Sequence, residues 1–325
     1  PELAEIATRN HTIFKELQYL SNIDYRPIKY INFAHDEATY KALEASKAWS
    51  KAEMVAPKQF REEISPYFNP RSKKYLAALI TDDCWQATPG KVVDLVRNIG
   101  IAAGGTVMED CRVIEAVKEG KYTSVLVLTH DKKYVEYRTE HFVNALGGGA
   151  GKLCDSMGID AGLYPVRHQA FITRRLPMLG KNGANLDMLI DRQDYKGFSA
   201  VYGQQIAHTG QIIGCASPKL DAMRIDKNLK LNTKAFLEIV SEMFVEWIPD
   251  LAGVGIQAVW AGYYTEPRYI VDPELGLFVG MRGHGFMLAQ YIAKMYVDKL
   301  MGRPVPEYFE KLKLHGPGLS EKAFK

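Results

Sequence analysis

The run from His141 to Gly151, "HFVNALGGGAG", reads as a β-strand entering a glycine cluster, and "KLCDSMG" behind it reads as a helix. A strand that must turn at once into a helix commits the chain to layers of helix on sheet, because only small residues allow so tight a turn and so close a packing. A second run from Val279 to Met287, "VGMRGHGFM", has the same order of strand, glycines and helix start. Free backbone N–H groups at such turns can face an anionic or electron-rich ligand atom, or the glycines can serve packing alone. Two such turns in one chain weigh toward the ligand. The Gly-x-Gly-x-x-Gly fingerprint of a dinucleotide-binding βαβ unit is nowhere in the sequence.

The remaining pattern mixes helices and strands. Leu3, Ile6, Ala7, Phe14, Leu17 and Leu20 recur at helical spacing, and residues 36–53 repeat that pattern on a more polar helix. "PIKYINFA" between them is strand-like, "KQFREEIS" is a short helix, and the apolar run of "KKYLAALITDDCW" is a strand. In "TPGKVVDLVRNIGIAAGG" a Thr cap, a Pro in the first turn and terminal glycines bound a helix carrying Val92, Val93, Leu95, Val96 and Ile99. Residues 106–117, 122–130 and 133–146 form a three-stranded meander. Strands follow in "YPVRHQAFITR", "LDMLIDR", "GFSAVYG" and "GQIIGCAS", then a helix in "NTKAFLEIVSEMFVEWIP". Strands in "IQAVWAGYYTE" and "LFVGM" precede a long final helix, "HGFMLAQYIAKMYVDKL".

Composition removes several function classes. With 325 residues, 47% of them hydrophobic, the chain can bury a core in each of two domains. A net charge of +3 spread along the chain argues against a nucleic-acid surface. Cys84, Cys111, Cys154 and Cys215 are far apart, which argues against zinc, a redox dithiol or a secreted disulfide framework and predicts a cytoplasmic protein. The eight histidines show no metal-binding spacing, and a Gly-x-Ser-x-Gly elbow is absent. No apolar run predicts a membrane span or a signal peptide. The chain opens at Pro1 inside a helical pattern, so we expect it to be part of a longer product.

Five stretches in order, "WQATPGKVVDLVRNIGIAAGGTV", "CRVIEAV", "HFVNALGGGAGKLCDSMGIDAGLYPVRHQ", "VWAGYYTEP" and "LFVGMRGHGFMLAQYIAKMYVDKLMG", carry a family resemblance. The chain resembles the D-amino-acid-oxidase-like FAD oxidoreductases from about Ile64 onward, a superfamily of glycine and sarcosine oxidases, dimethylglycine dehydrogenases and dye-linked proline dehydrogenases. The resemblance implies that Val113 lies beside the adenine of FAD, and that Ala145, Leu146 and Gly147 line its pyrophosphate and ribityl chain. Gly283, His284, Gly285, Phe286 and Met287 would turn backbone N–H groups toward the flavin's pyrimidine carbonyl and stabilise the reduced, anionic ring.

The chain departs from the family in three places. The N-terminal βαβ unit that binds the ADP half of FAD is not in these residues, so it belongs to an unnumbered segment or another chain, or has been lost. An Arg two residues past the Ala-Gly of the "WAG" strand clamps the substrate carboxylate in several family members; here Tyr264 stands there, leaving Arg167, Arg268 and Arg282 as alternatives. A Cys that attaches the flavin covalently in the sarcosine oxidase branch is replaced by Gly262 and Tyr263, which predicts non-covalent FAD. Alternation lets only one of Tyr263 and Tyr264 face the site, and Tyr264 is favoured. His168 reads as a polar surface residue.

We therefore expect an α/β (α+β) chain of two interleaved domains. A partial FAD-binding domain would take residues 1–25, 81–165 and 256–325, and an antiparallel-sheet substrate domain with helices residues 26–80 and 166–255. The expected activity is hydride transfer from the carbon beside an amine nitrogen, in an amino acid or N-methyl amino acid, to flavin N5, with Tyr264 and His284 nearest the chemistry. Two alternatives stand: a 2-hydroxy-acid or glycerol-phosphate dehydrogenase, with His284 or His168 as the base an alcohol needs, and a non-catalytic subunit that no longer binds FAD. The partners would be a small-molecule amine and an electron acceptor that the sequence does not name. A homo-oligomer or a partner subunit is left open.

Overall fold

A computed structural model of the chain describes residues 2–47, 51–64, 69, 75–176, 179, 186–193, 198–206, 209–218 and 233–319. The apolar and aromatic strands gather mainly into one sheet. In chain order α1 (Glu2–Leu20) leads to β1 (Arg26–Ala34), α2 (Glu37–Ser46), β2 (Ala52–Val55), α3 (Pro57–Gln59), β3 (Ala77–Gln86) and α4 (Pro89–Ala102). The meander is β4 (Arg112–Glu119), β5 (Tyr122–Leu128) and β6 (Tyr134–Thr139), followed by α5 (Ala150–Ser156). Then come β7 (Tyr164–Thr173), β8 (Met188–Asp191), β9 (Phe198–Gln205), β10 (Ile212–Pro218), α6 (Thr233–Trp247), β11 (Ile256–Glu266), β12 (Ile270–Asp272), β13 (Leu277–Val279) and α7 (Gly285–Leu300).

Eight strands form the main sheet in the order β11-β7-β10-β9-β8-β1-β3-β2, antiparallel except for the parallel pair β1 and β8. The mixed α/β architecture expected from the sequence is therefore present. Alternation gives this sheet two different faces. One packs on α6, with Phe33, Phe171, Phe236, Phe244 and Trp247 in the largest core cluster. Gly203 and Gly214 make room for it, since a Cβ at either would lie within 2.5 Å of a ring atom of Phe244 or Phe171. The other face bears Tyr202, Cys215, Ala170 and Trp260 in one paired row, with His168, Gly262 and Tyr264 beside it.

A second core joins α1, α7 and β12 through Leu3, Ile6, Val271, Leu288, Ile292 and Phe309. The strands β3, β7 and β11 run across or up to the expected boundaries at residues 80, 165 and 255, so the main sheet draws on both sequence regions. The expected helix over residues 36–53 ends at Ser46 among the described residues and is followed by β2, a strand the sequence did not suggest. Residues 48–50 of that helix, and Ser65 of the next, lie outside the described residues.

The strand expected at residues 141–146 is reduced to one parallel bridge between Asn144 and Leu277. Its physical cause is an edge without a neighbour. Asn144 exchanges backbone hydrogen bonds with Gly276 and Phe278 on one side, and no described residue forms a ladder with the other. Val143 and Leu146 stay exposed there, as do Val93, Val96 and Ile99 of α4.

Candidate functional site

Both glycine turns press on one strand. Asn144, fully buried, holds the first: its Nδ2 donates to the Ala150 carbonyl at 3.0 Å, and its Oδ1 accepts from the Leu146 amide at 3.2 Å. Gly147 takes φ +54°, in the left-handed region, and a Cβ on Gly148 would sit 2.8 Å from the Cβ of Tyr263. A cleft of about 250 Å³ opens beside this turn, lined by Gly148, Gly151, Lys152, Leu163, Tyr164 and Thr265.

The second turn meets the opposite face of the same strand. A Cβ on Gly283 would lie 2.8 Å from the ring of Tyr264. Arg282 holds φ +50°, sterically costly for a residue with a side chain, while its Nε donates to the Glu266 carboxylate at 2.5 Å. His284 Nδ1 lies 2.6 Å from the Tyr269 hydroxyl, and α7 starts behind it with no side chain capping its first N–H groups. Strand β11 is thus inserted between the two turns, Tyr263 against one and Tyr264 against the other. The alternation expected for this pair is what the structure displays.

On the Tyr264 side the face continues as a linked cluster. The rings of His168 and Tyr264 stack with centroids 3.7 Å apart and planes at 26°. The Tyr264 hydroxyl lies 3.2 Å from that of Tyr202, which in turn hydrogen-bonds Cys215. His168 is therefore half-buried and not a free surface residue: its Nδ1 is enclosed with no hydrogen-bond partner. Beside it, a Cβ at Gly262 would meet nothing within 4 Å, so open space lies above that glycine, between His168 across the strand pair and Trp260 and Tyr264 along it. Burial sets the charge of this wall. It lowers the His168 pKa to about 4, raises that of Cys215 to about 11, and raises those of Tyr202 and Tyr264 above the usual phenol value. All four side chains are neutral at neutral pH.

The other residues singled out in the sequence are distributed around this wall. Arg167 lies on the face of β7 opposite His168, paired across the sheet with Tyr263. Arg268 donates to the carbonyls of Leu314 and Gly316, and Arg282 is bound to Glu266. Val113 is half-buried on β4, while Ala145, Leu146 and Gly147 are exposed at the first turn. Phe286 and Met287 are each 39% exposed at the start of α7, and Phe286 packs edge-on against Phe14 of α1. Tyr202, Cys215 and Trp260 were not singled out as site residues, and Gly262 was named only as a position without the flavin-attaching Cys. Counting by twos from Tyr264 finds Gly262 and Trp260; Tyr202 and Cys215 needed the strand order.

The family model described as DAO, FAD dependent oxidoreductase, matches residues 1–299. The chain belongs to this family. Several solved structures are similar over nearly the whole chain. L-proline dehydrogenase from P. horikoshii has 22% identity and a TM-score of 0.74, covering 95% of this chain and 82% of that one. Glycine oxidase from Geobacillus kaustophilus has 16% identity and a TM-score of 0.78, covering 97% and 83%. L-alpha-glycerophosphate oxidase from Mycoplasma pneumoniae, solved with FAD bound, has 16% identity and a TM-score of 0.70, covering 91% and 79%. A comparison with curated protein sequences finds no match. Among the described residues no helix is long and apolar enough to cross a membrane, and no three His, Cys, Asp or Glu side chains are grouped for a metal.

The residues present fit the flavin end of FAD. The uncapped start of α7 leaves backbone donors for a carbonyl, the exposed Phe286 and Met287 offer apolar contact, and the space above Gly262 is unfilled. For the ADP half the sequence holds no Gly-x-Gly-x-x-Gly turn.

Proposed function

We propose that this chain oxidises an amine, an amino acid or N-methyl amino acid, with FAD held non-covalently. FAD, when bound, supplies the acceptor for the hydride leaving the carbon next to nitrogen. The resulting imine is hydrolysed by water, or persists if it is cyclic. One observation carries the reading: His168, the histidine of the wall it forms with Tyr202, Tyr264 and Cys215, is stacked on Tyr264 with its Nδ1 enclosed and unpartnered, and burial lowers its pKa to about 4. A neutral amine needs no proton removed before its hydride departs, whereas an alcohol needs a base whose protonation suits neutral pH. The similarity to a proline dehydrogenase and a glycine oxidase supports the amine, and that to a glycerophosphate oxidase supports the hydroxyl donor.

In this reading the backbone N–H groups of Gly283 through Met287 hold the flavin carbonyl, with His284 fixed by Tyr269. Val113, Ala145, Leu146 and Gly147 line the rest of the cofactor. Tyr264, stacked on His168 and bound to Tyr202, orients the donor and excludes water. The parts around 1–25, 81–165 and 256–325 form the cofactor side and the others the substrate side, with β11 serving both. The four free cysteines suit a cytoplasmic setting.

The test is anaerobic mixing of the flavin-loaded full product with proline, sarcosine, glycine, D-amino acids and hydroxy acids while the flavin absorbance is followed. Bleaching by an amine supports the proposal. Bleaching by hydroxy acids alone replaces it with the alcohol reading, and a protein that takes up no FAD sinks both.

A further inference from the structure

We infer that His168 binds an anionic oxygen of the electron donor through a neutral Nε2–H, and so determines specificity and is not a base. The position of the donor rests on the amine reading; the protonation of the ring rests on the structure alone. Nδ1 is enclosed, and among the described residues nothing donates to it or accepts from it. A buried N–H without an acceptor is rarer and costlier than a buried lone pair without a donor, so the proton belongs on Nε2. Nε2 is neither among the enclosed atoms nor hydrogen-bonded within the protein. It is therefore a donor with no acceptor of its own.

The surroundings decide what it can donate to. The nearest paired residue is Gly262, above which the space is open. Stacking on Tyr264 holds the plane of the imidazole, and the Tyr264 hydroxyl is engaged with Tyr202. A base would need the opposite tautomer, with an unpaired N–H at Nδ1, or a full positive charge in a buried ring. Both are disfavoured. Among the described residues, the groups facing His168 from the packed strands are Tyr264 and Gly262 of β11 and, through Tyr264, Tyr202 and Cys215, none of them charged at neutral pH. A fixed neutral donor in such a place suits a carboxylate oxygen, as an amino acid carries. The three arginines considered from the sequence have other positions: one is on the reverse face, one is on backbone carbonyls and one is bound to Glu266.

Two measurements test this on the full-length holoprotein. Long-range ¹H–¹⁵N correlation on histidine-labelled protein, with His168 assigned by its loss in His168→Gln, should give a protonated Nε2 and a bare Nδ1 at pH 7 and still at pH 5.5. An Nδ1–H tautomer, or an imidazolium at pH 5.5, overturns the inference whether or not any amine is a substrate. Acetate, titrated against the flavin spectrum, probes the anionic oxygen. His168→Gln, which keeps an N–H at a similar reach, should bind it within about threefold of the parent, and His168→Phe about tenfold or more weaker. Equal acetate binding in His168→Phe and parent overturns the inference. Loss of the acidic limb of kcat/KM in His168→Gln would make the residue a base and overturn it too. Failure of every amine to bleach the flavin would instead remove the amine reading and leave the tautomer result standing.

Discussion

Three adjacent glycines at the first turn predict three different responses to the same added methyl group. Gly147 has open space around it but a φ of +54°, so Gly147→Ala should lose about 1 kcal/mol from left-handed strain alone. Gly148 has no such strain; its added Cβ would instead lie 2.8 Å from Tyr263 Cβ and 2.9 Å from Cδ2. That Cβ is fixed to a strand paired with β7, so it cannot swing aside, and the turn must lift. Overpacking of this kind costs about 1–3 kcal/mol. Gly149, at φ −88°, would meet only Leu146 Cβ at 3.8 Å, an ordinary contact. Gly149→Ala should be neutral or up to about 1 kcal/mol more stable, by restricting the unfolded chain. Urea unfolding followed by far-UV circular dichroism gives the order, and FAD titration of each variant shows whether a lifted turn also weakens the cofactor. Gly148→Ala should be both the least stable and the weakest binder. If it equals Gly149→Ala in stability, the close packing of this turn on β11 is wrong, and with it the argument that the turn is held in place by that strand.

Other changes separate fold from chemistry. Gly262→Ala should keep stability within about 1 kcal/mol, because a Cβ there meets nothing within 4 Å, yet slow flavin reduction by the amine; an unchanged reduction rate would place the donor elsewhere. Arg268→Met should destabilise by about 1–3 kcal/mol through the lost hydrogen bonds to Leu314 and Gly316, with acetate affinity unaltered; weaker acetate binding at unchanged stability would make Arg268 a substrate residue. Burial depresses the folded pKa of His168 from 6.5 to about 4, so below pH 6.5 the unfolded chain takes up a proton that the folded one refuses. Stability from this group is complete above pH 6.5 and falls as the pH drops toward 4, by about 3 kcal/mol in all. Parent and His168→Gln compared by urea unfolding at pH 7 and 4.5 should differ in acid sensitivity by about 2 kcal/mol or more, the parent losing more. Equal losses would mean the ring is solvated.

How much of this was legible depended on the range of the interaction. The helix of α4 and the strands β1, β7 and β11 follow from local spacing, and so do the two glycine turns, because each is set by residues a few places apart. The strand at residues 141–146 carried the right residues and still did not form a ladder, since a ladder depends on a second edge and not on propensity. His168 was misread as a surface residue for a similar reason. Its neighbours in sequence, Arg167 and Gln169, are polar, and only pairing with Gly262 and stacking on Tyr264 half-bury it. Tyr202 and Cys215 lie far from Tyr264 in the chain and meet it through the order β11-β7-β10-β9, which no local pattern encodes.

The replacement of an expected arginine by Tyr264 has a consequence for the kind of selectivity this wall can achieve. A guanidinium would attract any anion over several ångströms, and its charge would be felt by the flavin as well as by the donor. Neutral donors act only at contact and only along the N–H direction. Carboxylate binding by His168 should then be weaker than an Arg clamp but more dependent on where the oxygen sits relative to Gly262. The positive potential is instead concentrated at the second turn, where the uncapped N–H groups of α7 begin and the charge of Arg282 is balanced by Glu266. In the proposed reading, charge stabilisation and donor recognition fall to different elements, joined by the contact between Gly283 and the Tyr264 ring.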